Sequence, residues 1–156
     1  MLEIAVPGRG TYRLQYLVLD FNGTLALDGE LLEGVAERLQ AISRQMDITI
    51  ATADTFGTAG ALKDRLAAKV LKIEPEAEDT QKLALIEHLG KDNTVCIGNG
   101  SNDFRMLRAA ALGICILGRE GAYAESMTAS DLIFTDINDA LDLLLKPQRF
   151  VASLRR

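Results

Sequence analysis

The stretch LVLDFNGTLA, residues 17–26, carries the first residues able to do chemistry. An apolar run ends in Asp20, and Phe21, Asn22 and a Gly23-Thr24 pair follow. A strand that delivers a carboxylate to its exposed end, ahead of a tight glycine turn, suits phosphate or metal chemistry. The position two after the aspartate holds Asn22, an amide where a second acid would be expected. Three further stretches offer partners. Thr52 ends the run ITIAT, Lys82 falls in the first turn of a helical stretch at 80–89, and IGNGSNDF, residues 97–104, supplies Asn99, Asn102 and Asp103.

Phosphoryl transfer accounts for all of these residue types. A carboxylate can attack phosphorus to give an aspartyl-phosphate, splitting one hard step into two. A hydroxyl and an ammonium can hold the equatorial oxygens, where charge accumulates. A second carboxylate, an amide and a backbone carbonyl suit Mg²⁺, which stays partly hydrated and would relieve repulsion between Asp20 and a dianionic target. Each residue alone also has a plainer reading. Asn-Gly is a strong turn dipeptide, Thr52 a cap or strand end, Lys82 a solvated surface lysine and GNGSND a loop before a helix. The order and context of the four together favour a site.

Short apolar runs must position these groups: YLVLD (16–20), ITIAT (48–52), AKVLKI (68–73), TVCIG (94–98), LGICIL (112–117) and DLIF (131–134). Near-continuous apolar strands are what a parallel sheet covered on both faces needs. Between them, Leu32, Val35, Ala36, Leu39, Ile42 and Met46 recur at helical spacing and predict a helix over 31–45. Leu83, Ile86 and Leu89 predict another over 80–89, with Asp79 or Thr80 as cap. Asp136 and Asp139 can cap a third, whose Ile137, Ala140, Leu141 and Leu144 face inward and which Pro147 stops. Strand alternating with helix gives an α/β, doubly wound, mostly parallel sheet. Ahead of it, residues 1–16 read as a β-hairpin, EIAV and TYRLQY about a PGRG turn. In open α/β sheets the ligand lies beyond the carboxyl ends of the strands, which is where Asp20, Thr52 and Asn99 fall.

The chain of 156 residues is long enough to bury a core and is expected to be one domain: hairpin 1–16, core 17–145 and tail 146–156. Its 17 basic and 22 acidic side chains leave a net charge of −5. No Lys/Arg cluster precedes Arg155-Arg156, so no nucleic-acid partner is expected. Cys96 and Cys115 lie within apolar runs and read as buried free thiols, pointing to a reducing compartment. No leader or membrane span is visible, and the expected location is cytoplasmic.

These residues resemble the haloacid dehalogenase-like (HAD) superfamily of phosphohydrolases over roughly residues 16–145. LVLDFNGTLA is similar to its first motif, ITIATAD to the second, Lys82 to the third and IGNGSNDFRML to the fourth. A narrower resemblance is to the catalytic domain of P-type ATPases and their small soluble relatives, through DFNGT, TAD, EDTQK and GNGSND. The resemblance implies a Rossmann-like HAD core and Mg²⁺ as cofactor. It makes Asp20, Thr52 and Lys82 catalytic, with Asp20 the nucleophile. It places phosphate on Asp20, Phe21, Asn22, Thr52, Ala53 and Lys82, and the metal on Asp20, Asn22, Asn99 and Asp103. Asn22 would serve the metal through its backbone carbonyl. Asn99 stands where the family usually has aspartate, with one less negative charge.

Asn22 is the larger departure. Family phosphatases have an aspartate there that protonates the leaving alkoxide and later activates water, help worth about 10²–10⁴-fold. An amide does neither, which favours acyl phosphates, phosphoanhydrides and aryl phosphates and slow dephosphorylation. The stretches 21–51 and 53–81 are too short for a cap domain, so the site is open or covered by a neighbouring subunit of a homo-oligomer. The hairpin is either that contact or a sheet extension. The expected partner is a phosphorylated small molecule or nucleotide. The alternative is a phosphate- or Mg²⁺-binding regulatory or assembly module with little turnover.

Overall fold

The computed structural model describes residues 1–53, 58–62 and 65–156. Asp54 and Thr55 of the ATADT stretch lie outside the described residues. An antiparallel hairpin of β1 (Leu2–Val6) and β2 (Gly10–Leu14) precedes the core. The core begins with β3 (Tyr16–Leu19), followed by a small hairpin of β4 (Ala26–Leu27) and β5 (Glu30–Leu31). Then come α1 (Val35–Ile42), β6 (Asp47–Thr52), α2 (Thr58–Leu62), β7 (Lys69–Lys72), α3 (Glu78–Leu89) and β8 (Thr94–Gly98). The chain continues through α4 (Phe104–Ala109), β9 (Leu112–Ile116), α5 (Ala124–Ala129), β10 (Leu132–Phe134), α6 (Ile137–Leu145) and α7 (Pro147–Leu154).

Six of these strands form one parallel sheet in the order β10-β9-β8-β3-β6-β7. Strand order therefore reverses beside β3: β6 and β7 lie to one side, β8 to β10 to the other. The crevice between β3 and β8 is the switch point at which such sheets receive ligands. Alternation along each strand separates two cores. Leu17, Leu19, Ile48, Ile50, Val95 and Ile97 pack with α1, α6, α7 and the N-terminal hairpin. Val18, Ala51 and Cys96 point to the opposite face, against Ile86 of α3 and Met106 and Leu107 of α4.

The apolar runs became the sheet strands with small boundary changes, and Cys96 and Cys115 are buried free thiols. Helix α1 begins later than expected, because residues 30–31 pair with 26–27 and Gly34 takes a positive φ of 83°. Leu32 packs on the core ahead of the helix. Helix α3 starts at Glu78, after Ala77 at φ 61°, with no side-chain cap from Asp79 or Thr80. Asp136 does cap α6, accepting the Asn138 N–H at 2.7 Å, and Ile137, Ala140, Leu141 and Leu144 are buried. Pro147 ends α6 but opens α7, a position where its missing N–H costs nothing. The expected tail is thus a helix, and its Phe150 is fully buried against the edge of Tyr12, ring centroids 5.1 Å apart. The N-terminal hairpin is a separate two-stranded sheet, not an extension of the parallel one.

Candidate active site

Asp20 follows the last residue of β3, and its N–H donates to Ile97 O on β8 at 3.0 Å, so the switch-point crevice itself holds the carboxylate. Lys82 comes from α3. It lies one turn before Ile86 on the stripe that α3 turns to the core, which carries a lysine into the interior. Lys82 is fully buried, and its Nζ donates to Asp20 Oδ1 at 2.9 Å and Asp103 Oδ1 at 2.6 Å. Asp103 precedes α4 and reaches back under β8. Gly98 permits this, since a Cβ there would sit 2.5 Å from Asp103 Cγ. Asp103 Oδ2 accepts the N–H groups of Asn99 and Gly100, both at 2.9 Å.

One ammonium thus serves two buried carboxylates, leaving a net negative charge in a closed setting. Burial first, then the charge of Asp103, push the Asp20 carboxyl up to about 7, against the pull of Lys82 and the Phe21 N–H. Burial works against the charged form of Lys82, but Asp20 and Asp103 outweigh it and raise its pKa overall. Such an arrangement attracts a cation or phosphoryl group at Asp20, where positive charge or covalent transfer relieves the repulsion.

Thr52 ends β6 at the same edge and is buried, and half-buried Ala53 follows it. Asn22 is exposed, on the loop after Asp20. Asn99 follows β8, and its Oδ1 accepts from the buried Thr24 hydroxyl at 3.2 Å. Gly23, at φ 77°, brings that loop so close that a Cβ would lie 2.4 Å from Asn99 Nδ2. The topology therefore gathers Asp20, Phe21, Asn22, Thr52, Ala53, Lys82, Asn99 and Asp103 at one edge of the sheet. Asp103, expected as a metal ligand, has both oxygens on protein donors; it holds the lysine and the loop. Among the described residues no three His, Cys, Asp or Glu side chains cluster as a complete metal site. The donors gathered there are all oxygen: the Asp20 and Asp103 carboxylates, the Asn22 carbonyl and Asn99 Oδ1. That set fits a hard cation sharing its shell with water and a phosphate.

Sequence reasoning missed three supports of this edge. Ser126 of α5 is buried and donates to Gly100 O at 2.7 Å. Glu78 of α3 accepts from Asn102 Nδ2. Glu120 accepts the Asp28 N–H at 3.1 Å. Gly118 and Gly121 signal a turn around Glu120, but no local pattern ties that turn to Asn99. A cleft of about 290 Å³ opens beside Gly23 and Thr24, lined also by Leu27, Glu33, Glu120 and Asp136.

The six-stranded parallel sheet in this order, flanked by helices, is the HAD-like Rossmann fold. The 3-deoxy-D-manno-octulosonate 8-phosphate phosphatase from Moraxella catarrhalis, solved with magnesium, phosphate and KDO, superposes with a TM-score of 0.73 at 18% identity over 91% of both chains. No protein-family model matches the chain. The chain belongs to the same family as the uncharacterized protein MJ0073 of Methanocaldococcus jannaschii, to which it is 44% identical over 92 residues, 54% of this chain and 99% of that one. It is also 26% identical over 143 residues to the phospholipid-transporting ATPase NEO1 of Saccharomyces cerevisiae, 92% of this chain but 11% of that protein.

Proposed function

We propose that the chain is a Mg²⁺-dependent phosphohydrolase acting through an aspartyl-phosphate at Asp20. The observation that carries this is the buried Lys82 ammonium bridging Asp20 and Asp103 at 2.9 and 2.6 Å, at the sheet's switch point. Asp20 attacks the phosphorus, forming an O–P bond as the bond to the leaving group breaks; water later cleaves the acyl phosphate. Lys82 and Thr52 hold the equatorial oxygens, and the backbone around Phe21, Asn22 and Ala53 cradles them. Asp103 keeps Lys82 charged and aimed. Asp20, the Asn22 carbonyl, Asn99 and, directly or through water, Asp103 would hold Mg²⁺, which would supply charge neutralisation at the transferring phosphoryl group.

Asn22 has no proton to give, so good leaving groups are favoured: acyl and aryl phosphates and phosphoanhydrides. The likeness to NEO1 along most of the chain supports an ATPase-like variant of this chemistry, with a long-lived phosphoenzyme. Phosphorylated small molecules, nucleotides included, are the partners this site would take.

Beryllium fluoride is expected to bind only with Mg²⁺ and to be lost in Asp20→Ala; binding indifferent to that substitution would refute the reading. Asn22→Asp is expected to raise alkyl-ester hydrolysis by about 10²-fold, measured on glycerol phosphate. Asn22 and Asn99 favour a second reading, a phosphate-binding regulatory or assembly module with little turnover. Hydrolysis of acetyl phosphate or p-nitrophenyl phosphate that disappears in Asp20→Asn would exclude it.

A further inference from the structure

Glu120 is brought to the site by a turn. The Gly121 N–H donates to Gly118 O at 3.0 Å, closing residues 118–121. Asn99 pins this turn from below: its Nδ2 donates to Gly121 O at 3.3 Å, and its carbonyl accepts the Tyr123 N–H at 2.8 Å. On the other flank Glu120 Oε1 holds the Asp28 N–H at the tip of the β4–β5 hairpin. Glu120 Oε2 and Asn99 Nδ2 converge on Gly23. A Cβ at Gly23 would lie 2.8 Å from the first and 2.4 Å from the second. A carboxylate oxygen and the Asn99 amide nitrogen therefore both lie against Gly23, in the loop that follows Asp20.

We propose that Glu120 supplies, through water, the negative charge that Asn99 lacks at the cation site. This rests on the reading of Asp20, Asn22 and Asn99 as Mg²⁺ ligands. Mg²⁺ gives up its waters reluctantly, and a carboxylate beside the ligand shell accepts hydrogen bonds from them. Outer partners of this kind change metal affinity by about 10- to 100-fold. Asp103 already has its charge balanced by Lys82 and accepts the Asn99 and Gly100 N–H groups as well. Glu120 has one oxygen on the Asp28 N–H, while its second faces Gly23.

The test is calorimetric titration of Mg²⁺ into the full chain and its Glu120→Gln, Asn99→Asp, Asp20→Ala and Glu120→Gln/Asn99→Asp variants, with melting in metal-free buffer. Glu120→Gln is expected to weaken Mg²⁺ by about 10- to 100-fold. Its metal-free melting should stay unchanged, because the glutamine oxygen still accepts the Asp28 N–H. Asn99→Asp should tighten binding, and in that background Glu120→Gln should cost far less. Affinity that depends on Asp20 but ignores Glu120→Gln overturns this inference alone. A drop in metal-free melting with equal Mg²⁺ affinity reduces Glu120 to a structural strap and overturns it too. Absent Mg²⁺ binding, or binding unaffected by Asp20→Ala, overturns the cation reading along with it.

Discussion

Asp20 pays in stability for its position. Its carboxyl is pushed up to about 7, from an ordinary value of about 3.9 in the unfolded chain. The folded protein thus holds that proton more tightly than the unfolded one. The metal-free fold is favoured at low pH on this account and loses stability as pH climbs from about 4 through about 7. Asp20→Asn removes the loss and is expected to stabilise the metal-free protein by roughly 1–3 kcal/mol at about pH 8, while abolishing phosphorylation. Denaturant unfolding with a chelator present measures it; a lower midpoint than wild type would contradict the charge arrangement. Lys82→Met should do the opposite, costing roughly 3–5 kcal/mol by leaving two buried carboxylates without their cation.

At the scale of elements, Asp142 ties three helices. From α6 it accepts from Arg38 of α1 at 2.9 Å and from its own Lys146 at 2.7 Å, with Arg149 of α7 at 3.6 Å. The Lys146 hydrogen bond first, and Arg38 next, lower its pKa against the cost of burial. A lowered carboxyl contributes stability above its unfolded value that is lost as pH falls through the folded one. Asp142→Asn should therefore cost about 1 kcal/mol near neutrality. The difference from wild type should vanish in acid-unfolding curves below the carboxylate range. Elements with long-range apolar periodicity were legible in the sequence. The β4–β5 hairpin was not read, although Asp28-Gly29, both at positive φ, is a hairpin turn signal. Nor was the start of α1, because the helical spacing of Leu32 hid the break that Gly34 imposes.

Over the whole molecule, α7 and the N-terminal hairpin close one face of the sheet. Phe150, Leu154, Ile4, Val6 and Leu14 are all buried there. Phe150→Ala is expected to destabilise by roughly 3–5 kcal/mol, read as a lower denaturant midpoint. A loss under about 1 kcal/mol would mean that α7 is a loosely held appendage. The hairpin's apolar side is covered by its own chain, and its role is to complete the core. Exposed Leu117 and Ile133 lie instead at β10, the far edge of the sheet.

By itself the sequence determined the alternation of strand and helix and the strand ends that carry Asp20, Thr52 and Asn99. Each of these is a local pattern, set by side-chain periodicity and by the residues that stop it. Only the tertiary structure decided the strand order that makes the β3–β8 crevice the site. It also decided the burial of Lys82 between two carboxylates, the hydrogen bonds of Asp103 to Lys82 and to the Asn99 and Gly100 backbone, and the arrival of Glu120 against Gly23. Those outcomes depend on which distant groups compete for one another once desolvated. Competition of that kind leaves no period or spacing in a chain.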